Sequence, residues 1–322
     1  MKKFSEVIDY YYSELNPIVK ELEKKRQKVK RNIITWMIGG VVAIFILITA
    51  VMSHTDVDIF LQSGIVLLGA SVGLYGFLYK MMSKGYNIEF KLRVIEPLIK
   101  FIDPNLKYTP NATIPEYIFK KSKVITDDID LYHGDDLVEG VVDGVNIAFC
   151  DLHVEKEYKD SNNDSDYQTL FQGIFLQAEF PKEFHGTTVV LPDMAENIFG
   201  SYLGRMLQSF GNEMQLVKLD NVEFEKYFVV YSSDQIEARY ILSHSMMERM
   251  IKFRKKVGHR ISFSFVGGEM FVGVHYNRES LEASVFGSLL EYKIVKEFVE
   301  SLYYSLEIVQ ELKLNQKIWS KR

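Results

Sequence analysis

A single cysteine, Cys150, leaves no partner for a disulfide within the 322-residue chain. The sequence therefore reads as one that folds without covalent staples, in a reducing compartment. A thiol nucleophile needs a base beside it, and His153 stands three residues on. In a strand that odd spacing points the two side chains to opposite faces. No GxxxxGK[ST] loop and no HExxH pair occurs, which removes phosphate-loop and zinc-protease chemistry of the usual kind. The seven histidines never recur at ligand spacing on one helix face, so neither a metal nor a cofactor is expected. His133 with Asp135 and Asp136 is the nearest approach to a ligand cluster, and it reads as a solvated turn at Gly134.

Basic charge is outnumbered by acidic charge outside the N-terminus. Residues 1–32 hold nine Lys and Arg against five Asp and Glu, a net +4, while the whole chain is −5, which leaves −9 for the remainder. An acidic remainder argues against nucleic acid as a partner. Aromatics are plentiful instead, with 22 Phe and 19 Tyr, enough to build a sizeable core.

The most prominent stretch is a pair of uncharged runs, 33–52 and 59–79, separated by Ser53–Asp58. About 20 helical residues cross the roughly 30 Å hydrocarbon core, so the runs predict a transmembrane hairpin over 33–79. Lys24, Lys25, Arg26, Lys28, Lys30 and Arg31 precede it, Lys80, Lys84, Lys91 and Arg93 follow it, and the tip has neither Lys nor Arg. The charge asymmetry predicts a multi-pass protein of the bacterial inner membrane with both termini cytoplasmic. Gly39 with Ala43 and Gly69 with Gly73 form small-xxx-small pairs. They suit close packing of the two spans or association of copies within the bilayer. The glycines of GASVGLYG (69–76) lie inside an apolar run, where a phosphate loop has no place.

Around the hairpin, residues 1–32 carry an amphipathic stripe (Phe4, Ile8, Tyr11, Tyr12, Leu15, Val19, Leu22) interrupted by Pro17, which predicts a kink near Asn16. Residues 80–107 carry a second stripe through Leu98 and Ile102. From 108 to 322 the pattern is α+β: antiparallel hairpins and packed helices on the cytoplasmic side, attached to the hairpin. Asp143-Gly144 and Gly267-Gly268 mark tight turns between strands. Apolar positions change face near Cys150, which predicts a bulge there or a strand passing between layers. Residues 159–166 read as a loop tip, 193–210 as a helix, and Ser232 with Gln235 as a capping box opening another. On that helix Ile236 and Tyr240, four apart, are expected to point inward, with Glu237 and Arg239 flanking them. Glu237, Arg239 and Tyr240 are the candidate ligand-binding residues. The alternative is an ion pair between Glu237 and Arg239 that fixes helix to sheet.

Several blocks resemble the bacterial membrane proteins catalogued as the domain of unknown function 3137 family: YYSELNPIVKELEKKR (11–26), GDDLVEGVVDGVNIAF (134–149), FQGIFLQAEFPKEFHGTTVVLPD (171–193), KLDNVEFEKYFVVYSSDQIEARYIL (218–242) and LKLNQKIW (312–319). The resemblance implies a two-span anchor with a cytoplasmic domain, and it supplies no catalytic residues. The expected role is a non-enzymatic binding or scaffold module. Its expected partners are the lipid bilayer, another membrane or cytosolic protein, or a second copy. The alternatives are a membrane-anchored enzyme with an unrecognised site and a structural hairpin that oligomerises through Gly69 and Gly73.

Overall fold

The computed structural model describes residues 2–52, 73–159 (less 74 and 78), 165–180, 183–193, 214–276 and 287–314 (less 289, 291 and 313). The chain divides into two compact units. One holds residues 1–7, 99–281 and 296–322; the other holds 8–98 and 282–295.

The helical unit is built on α2 (Asn16–Met52) and α3 (residues 79–90). Ahead of α2 come α1 (Phe4–Tyr10) and a π-turn, Tyr11–Leu15; after α3 come a second π-turn, Lys91–Ile95, and α4 (Glu96–Ile102). Each π-turn ends two residues before a proline, Pro17 or Pro97. Proline has no N–H to donate, and its ring crowds the carbonyl four residues back. The chain responds by widening the preceding turn: Asn16 N donates to Tyr11 O and Glu96 N to Lys91 O, one residue farther than in an α-helix. The kink expected at Asn16 takes this form. Arg93 Nη2 lies 2.7 Å from Glu21, and Lys25 Nζ lies 2.5 Å from Glu89. These pairs align the two helices antiparallel, with Leu15, Val19, Leu22, Val94, Ile95 and Leu98 buried.

Among the described residues no helix is long and apolar enough to cross a membrane. This overturns the transmembrane hairpin expected over 33–79, and with it the multi-pass inner-membrane placement with cytoplasmic termini. Residues 33–52 are not a separate span. They end a 37-residue helix whose first half carries Lys20, Glu21, Glu23, Lys24, Lys25 and Arg26. Residues 53–72, and so most of the second apolar run, lie outside the described residues. Of the small-residue pairs, Gly39 and Gly73 have nothing within 4 Å of where a Cβ would stand, Ala43 is exposed, and Gly69 is not described.

The other unit is α+β. Its strands are β1 (Lys107–Thr109), β2 (Leu131–Val142), β3 (Val145–Lys159), β4 (Ser165–Glu179), β5 (Thr187–Pro192), β6 (Gln215–Leu216), β7 (Phe228–Ser232), β8 (Ile261–Val266) and β9 (Glu269–His275). Its helices are α5 (Glu116–Ser122), α6 (Val222–Glu225), α7 (Gln235–Ile241), α8 (His244–Val257) and α9 (Tyr292–Glu311). All nine strands join one antiparallel sheet in the order β1-β2-β3-β4-β9-β8-β5-β7-β6. Local turn chemistry sets two of its hairpins. Asp143 and Gly144 both take positive φ (49° and 84°), as a two-residue turn between β2 and β3 needs, and Gly267 (φ 63°) opens the β8–β9 turn.

Alternation along the strands gives the sheet two apolar faces. On one, Cys150, Leu152, Phe171, Phe175 and Phe271 pack with Ile114, Phe119 of α5, Val124 and Ile125. On the other, the Phe263 ring meets Phe228, which meets Phe224 of α6 at 5.0 Å. Each fully buried phenylalanine contributes about 2–3 kcal/mol. α8 buries Met246, Met250 and Phe253 and ends on the left-handed Gly258 (φ 75°). It is tied to α9 by Lys252 and Lys256, both on Glu311.

β3 stays in the one sheet, and its buried side passes from Ile147 and Phe149 to Cys150, Leu152 and Val154 on the opposite face. The bulge lies across from it. Asp135 pairs with Asp151 and Val138 with Phe149, so Asp136 and Leu137 of β2 stand opposite Cys150 alone. Asp136 takes φ 60°, and the connector is pinned over it: its N–H donates to Pro110 O, and its carboxylate accepts from Tyr108 Oη. β5 pairs with β7 and β8, not with β4. Residues 160–164 and 194–213, where a loop tip and a helix were expected, lie outside the described residues.

Candidate functional site

Among the described residues β6 is one of the two terminal strands of the sheet, and α7 reaches it through Gln235. β7 feeds α7 through Ser232, Ser233 and Asp234. Asp234, not Ser232, is the N-cap: its Oδ1 accepts from Ile236 N and Glu237 N, both at 2.9 Å. Ser232 is committed to the strand end, where its Oγ accepts from Asp234 N and lies 2.9 Å from Thr188 Oγ1.

The expected faces of α7 are reversed. Glu237, Ala238 and Ile241 are buried, while Ile236 is 82% exposed and Tyr240 51% exposed. The reason is a task assigned from far along the chain. The Glu237 carboxylate accepts from His185 N (3.1 Å) and Gly186 N (2.8 Å), two amides in the approach to β5. Thr187 N donates to Ser233 Oγ alongside. Gly186 has no room for a side chain, because a Cβ there would stand 2.8 Å from Ser233 Oγ. Arg239 does not pair with Glu237. It donates from Nη1 to Gln235 O at 3.0 Å and from Nη2 to Lys218 O at 3.4 Å. Gln235 Nε2 reaches Leu216 O at 3.1 Å. The polar side of α7 therefore caps carbonyls around the edge strand, which blunts that edge against further strand pairing. Beside the exposed Arg239, α7 turns Ile236 and Tyr240 outward, and on β6 Leu216 is 48% exposed.

Cys150 is fully buried, with Thr113 Oγ1 3.3 Å from its sulfur, and burial pushes the thiol up to about 11. His153 faces the opposite side of β3, where its ring lies 3.4 Å from Glu155. Among the described residues no three His, Cys, Asp or Glu side chains gather as metal ligands. Sequence reasoning missed one pair, Ser262 Oγ and His275 Nε2, 3.1 Å apart. Only strand register brings them together, since Ser262 pairs with Gly273 across β8 and β9. Ser262 is 2% exposed, and burial, with Arg260's charge second, pushes the imidazole down to about 3. Between pH 6.5 and 3 the unfolded chain binds a proton here that the folded one refuses. Stability should therefore be complete above pH 6.5 and fall below it, by at most about 1.4 kcal/mol per pH unit. Urea midpoints of wild type and His275→Gln across that window check this, and the variant should show the shallower dependence.

These features define an α+β unit on a nine-stranded antiparallel sheet, with a helix-capped edge and no assembled catalytic group among the described residues. The family described as "Protein of unknown function (DUF3137)" matches residues 169–314, which supports the resemblance to that family. The match begins inside β4 and runs just past α9, leaving out β1 to β3 and residues 8–98 of the helical unit. No curated protein matches the chain. Among solved structures, the crystal structure of the mycobacterial trehalose monomycolate transport factor A is similar over 67% of this chain and 93% of that chain, at 8% identity and a TM-score of 0.36.

Proposed function

We propose that the chain is a non-enzymatic binding module whose docking surface is the outward face of α7 with the neighbouring edge strand. One observation carries this reading: Ile236 and Tyr240, four residues apart on α7, are exposed while Gln235, Glu237 and Arg239 hold backbone groups, and Leu216, whose carbonyl Gln235 reaches, is exposed as well. Single exposed apolar residues are ordinary, but clusters at a rigid corner are what partner proteins bury. An aromatic with an aliphatic residue one helical turn away is a common anchor pair. The ligand-binding role expected of Glu237, Arg239 and Tyr240 is thereby redistributed: Tyr240 presents the surface, and Glu237 and Arg239 hold it in place.

The test is affinity capture with intact wild-type protein and the double variant Ile236→Asp/Tyr240→Ala. Both positions are solvent-exposed, so the melting temperature should stay within about 1 °C of wild type. A partner held by wild type should be lost at least about tenfold in the variant, as expected for removal of a contact worth more than 1.4 kcal/mol. Equal retention by both proteins sinks the proposal.

A further inference from the structure

β3 and β4 continue together past the rest of the sheet. β9 pairs with β4 only from Gly173 onward, whereas β3 pairs with β4 as far as Lys159 and Ser165. The β3 edge of this ribbon is closed: Asp130 N donates to Glu155 O at 3.1 Å, and Glu157 N donates to Asp130 Oδ2 at 2.8 Å. Residues opposite each other in an antiparallel pair turn their backbone groups both toward or both away from one another. Glu155 and Glu157 turn away from β4, so their partners Thr169 and Tyr167 turn away from β3. No strand meets them there among the described residues, and Ser165 to Thr169 are all exposed. The Tyr167 amide is taken by its neighbour, Asp166 Oδ1, at 2.9 Å.

We infer that this edge pairs with the same edge of a second copy of the chain, antiparallel, with the two-fold axis at Tyr167. An open edge is a template for a strand, and charge is the usual means of blocking it. The only charge in Ser165–Thr169 is Asp166, which is spent on its own strand. The segment is complementary to itself. About the axis, Tyr167 faces Tyr167, Ser165 faces Thr169 twice, and Asp166 faces Gln168 twice, so no like charges meet and each carboxylate finds an amide donor. Pairing gives the Tyr167 N–H a carbonyl of the other copy and releases Asp166 to that copy's Gln168. A five-residue edge buries far less than the roughly 800 Å² per partner of a standard interface, so the dimer is reversible and concentration-dependent.

Sedimentation equilibrium of the full chain at low salt tests this, with Gln168→Lys and Gln168→Asp as paired variants. Gln168→Lys sets an opposite charge against Asp166 at two symmetric places and should lower the dimer dissociation constant about tenfold; Gln168→Asp sets four carboxylates together and should raise it about tenfold. Added salt should shrink both differences. A wild-type chain monomeric at all concentrations overturns the inference. So does a dimer that responds to neither substitution, because its contact then lies elsewhere. Another protein's strand bound at this edge, with no self-association, overturns it equally.

Discussion

Gly173→Ala should cost about 3–5 kcal/mol or prevent folding altogether. Gly173 lies in the middle of the sheet, paired with Leu152 on one side and His275 on the other. Its φ is 145°, and a Cβ would stand 2.0 Å from Val274 O and 2.9 Å from Tyr276 N. Both obstacles are backbone, held by the ladder between β4 and β9, so neither can rotate aside. Overpacking and backbone strain add at this position, which places it in the high tail of single substitutions. Gly267→Ala separates the two effects. Gly267 also takes positive φ (63°), but open space surrounds its absent Cβ, so its cost should be about 1 kcal/mol, from the backbone alone. Chemical denaturation of both variants gives the comparison. Equal costs would mean that the close approach to Val274 is not what excludes a side chain from Gly173.

Glu237→Ala should lower stability by about 3 kcal/mol. The carboxylate is 8% exposed and accepts from two amides. Truncation leaves the N–H groups of His185 and Gly186 without their acceptors, and each such part-buried donor costs toward the lower end of about 1–3 kcal/mol. Glu237→Gln should fall between alanine and wild type, because its one remaining oxygen serves one amide while its NH2 confronts the other. Thermal denaturation ranks the three. If Glu237→Ala melts like wild type yet no longer captures a partner, the residue is a ligand contact and not a structural clasp.

What could be read from the sequence was whatever its own near neighbours decide. The Asp143-Gly144 and Gly267-Gly268 turns each depend on φ values that few residues tolerate, so the residue announces the geometry. Pro17 announced a disturbance for the same reason, although not its form. The face of α7 was misread because the apolar rule weighs each side chain alone. Ile236 was assigned inward and Glu237 to a flank, but the carboxylate's partners are His185 and Gly186, on another segment. Strand order is equally non-local: nothing in Thr187–Pro192 says that it lies between β8 and β7. The run from Ile33 to Met52 reads as a span by its length and lack of charge, and it continues without a break from the charged residues before it, so that among the described residues it ends one 37-residue helix. Of the candidate residues, Glu237 is buried on two backbone amides, whereas Arg239 and Tyr240 are exposed.

The bulge opposite Cys150 has a bearing on chain length. Between Leu131 and Asp135 every residue of β2 takes its face from the one residue gained at Asp136–Leu137. Removing or adding one residue there exchanges the faces of Tyr132 and His133, which sends the Tyr132 ring away from Phe119 and the Tyr132 hydroxyl away from Ile114 O. Removing or adding two restores both. The length of this strand is thus quantised in steps of two. Natural relatives should differ here by even numbers of residues, or should carry a second bulge wherever the difference is odd.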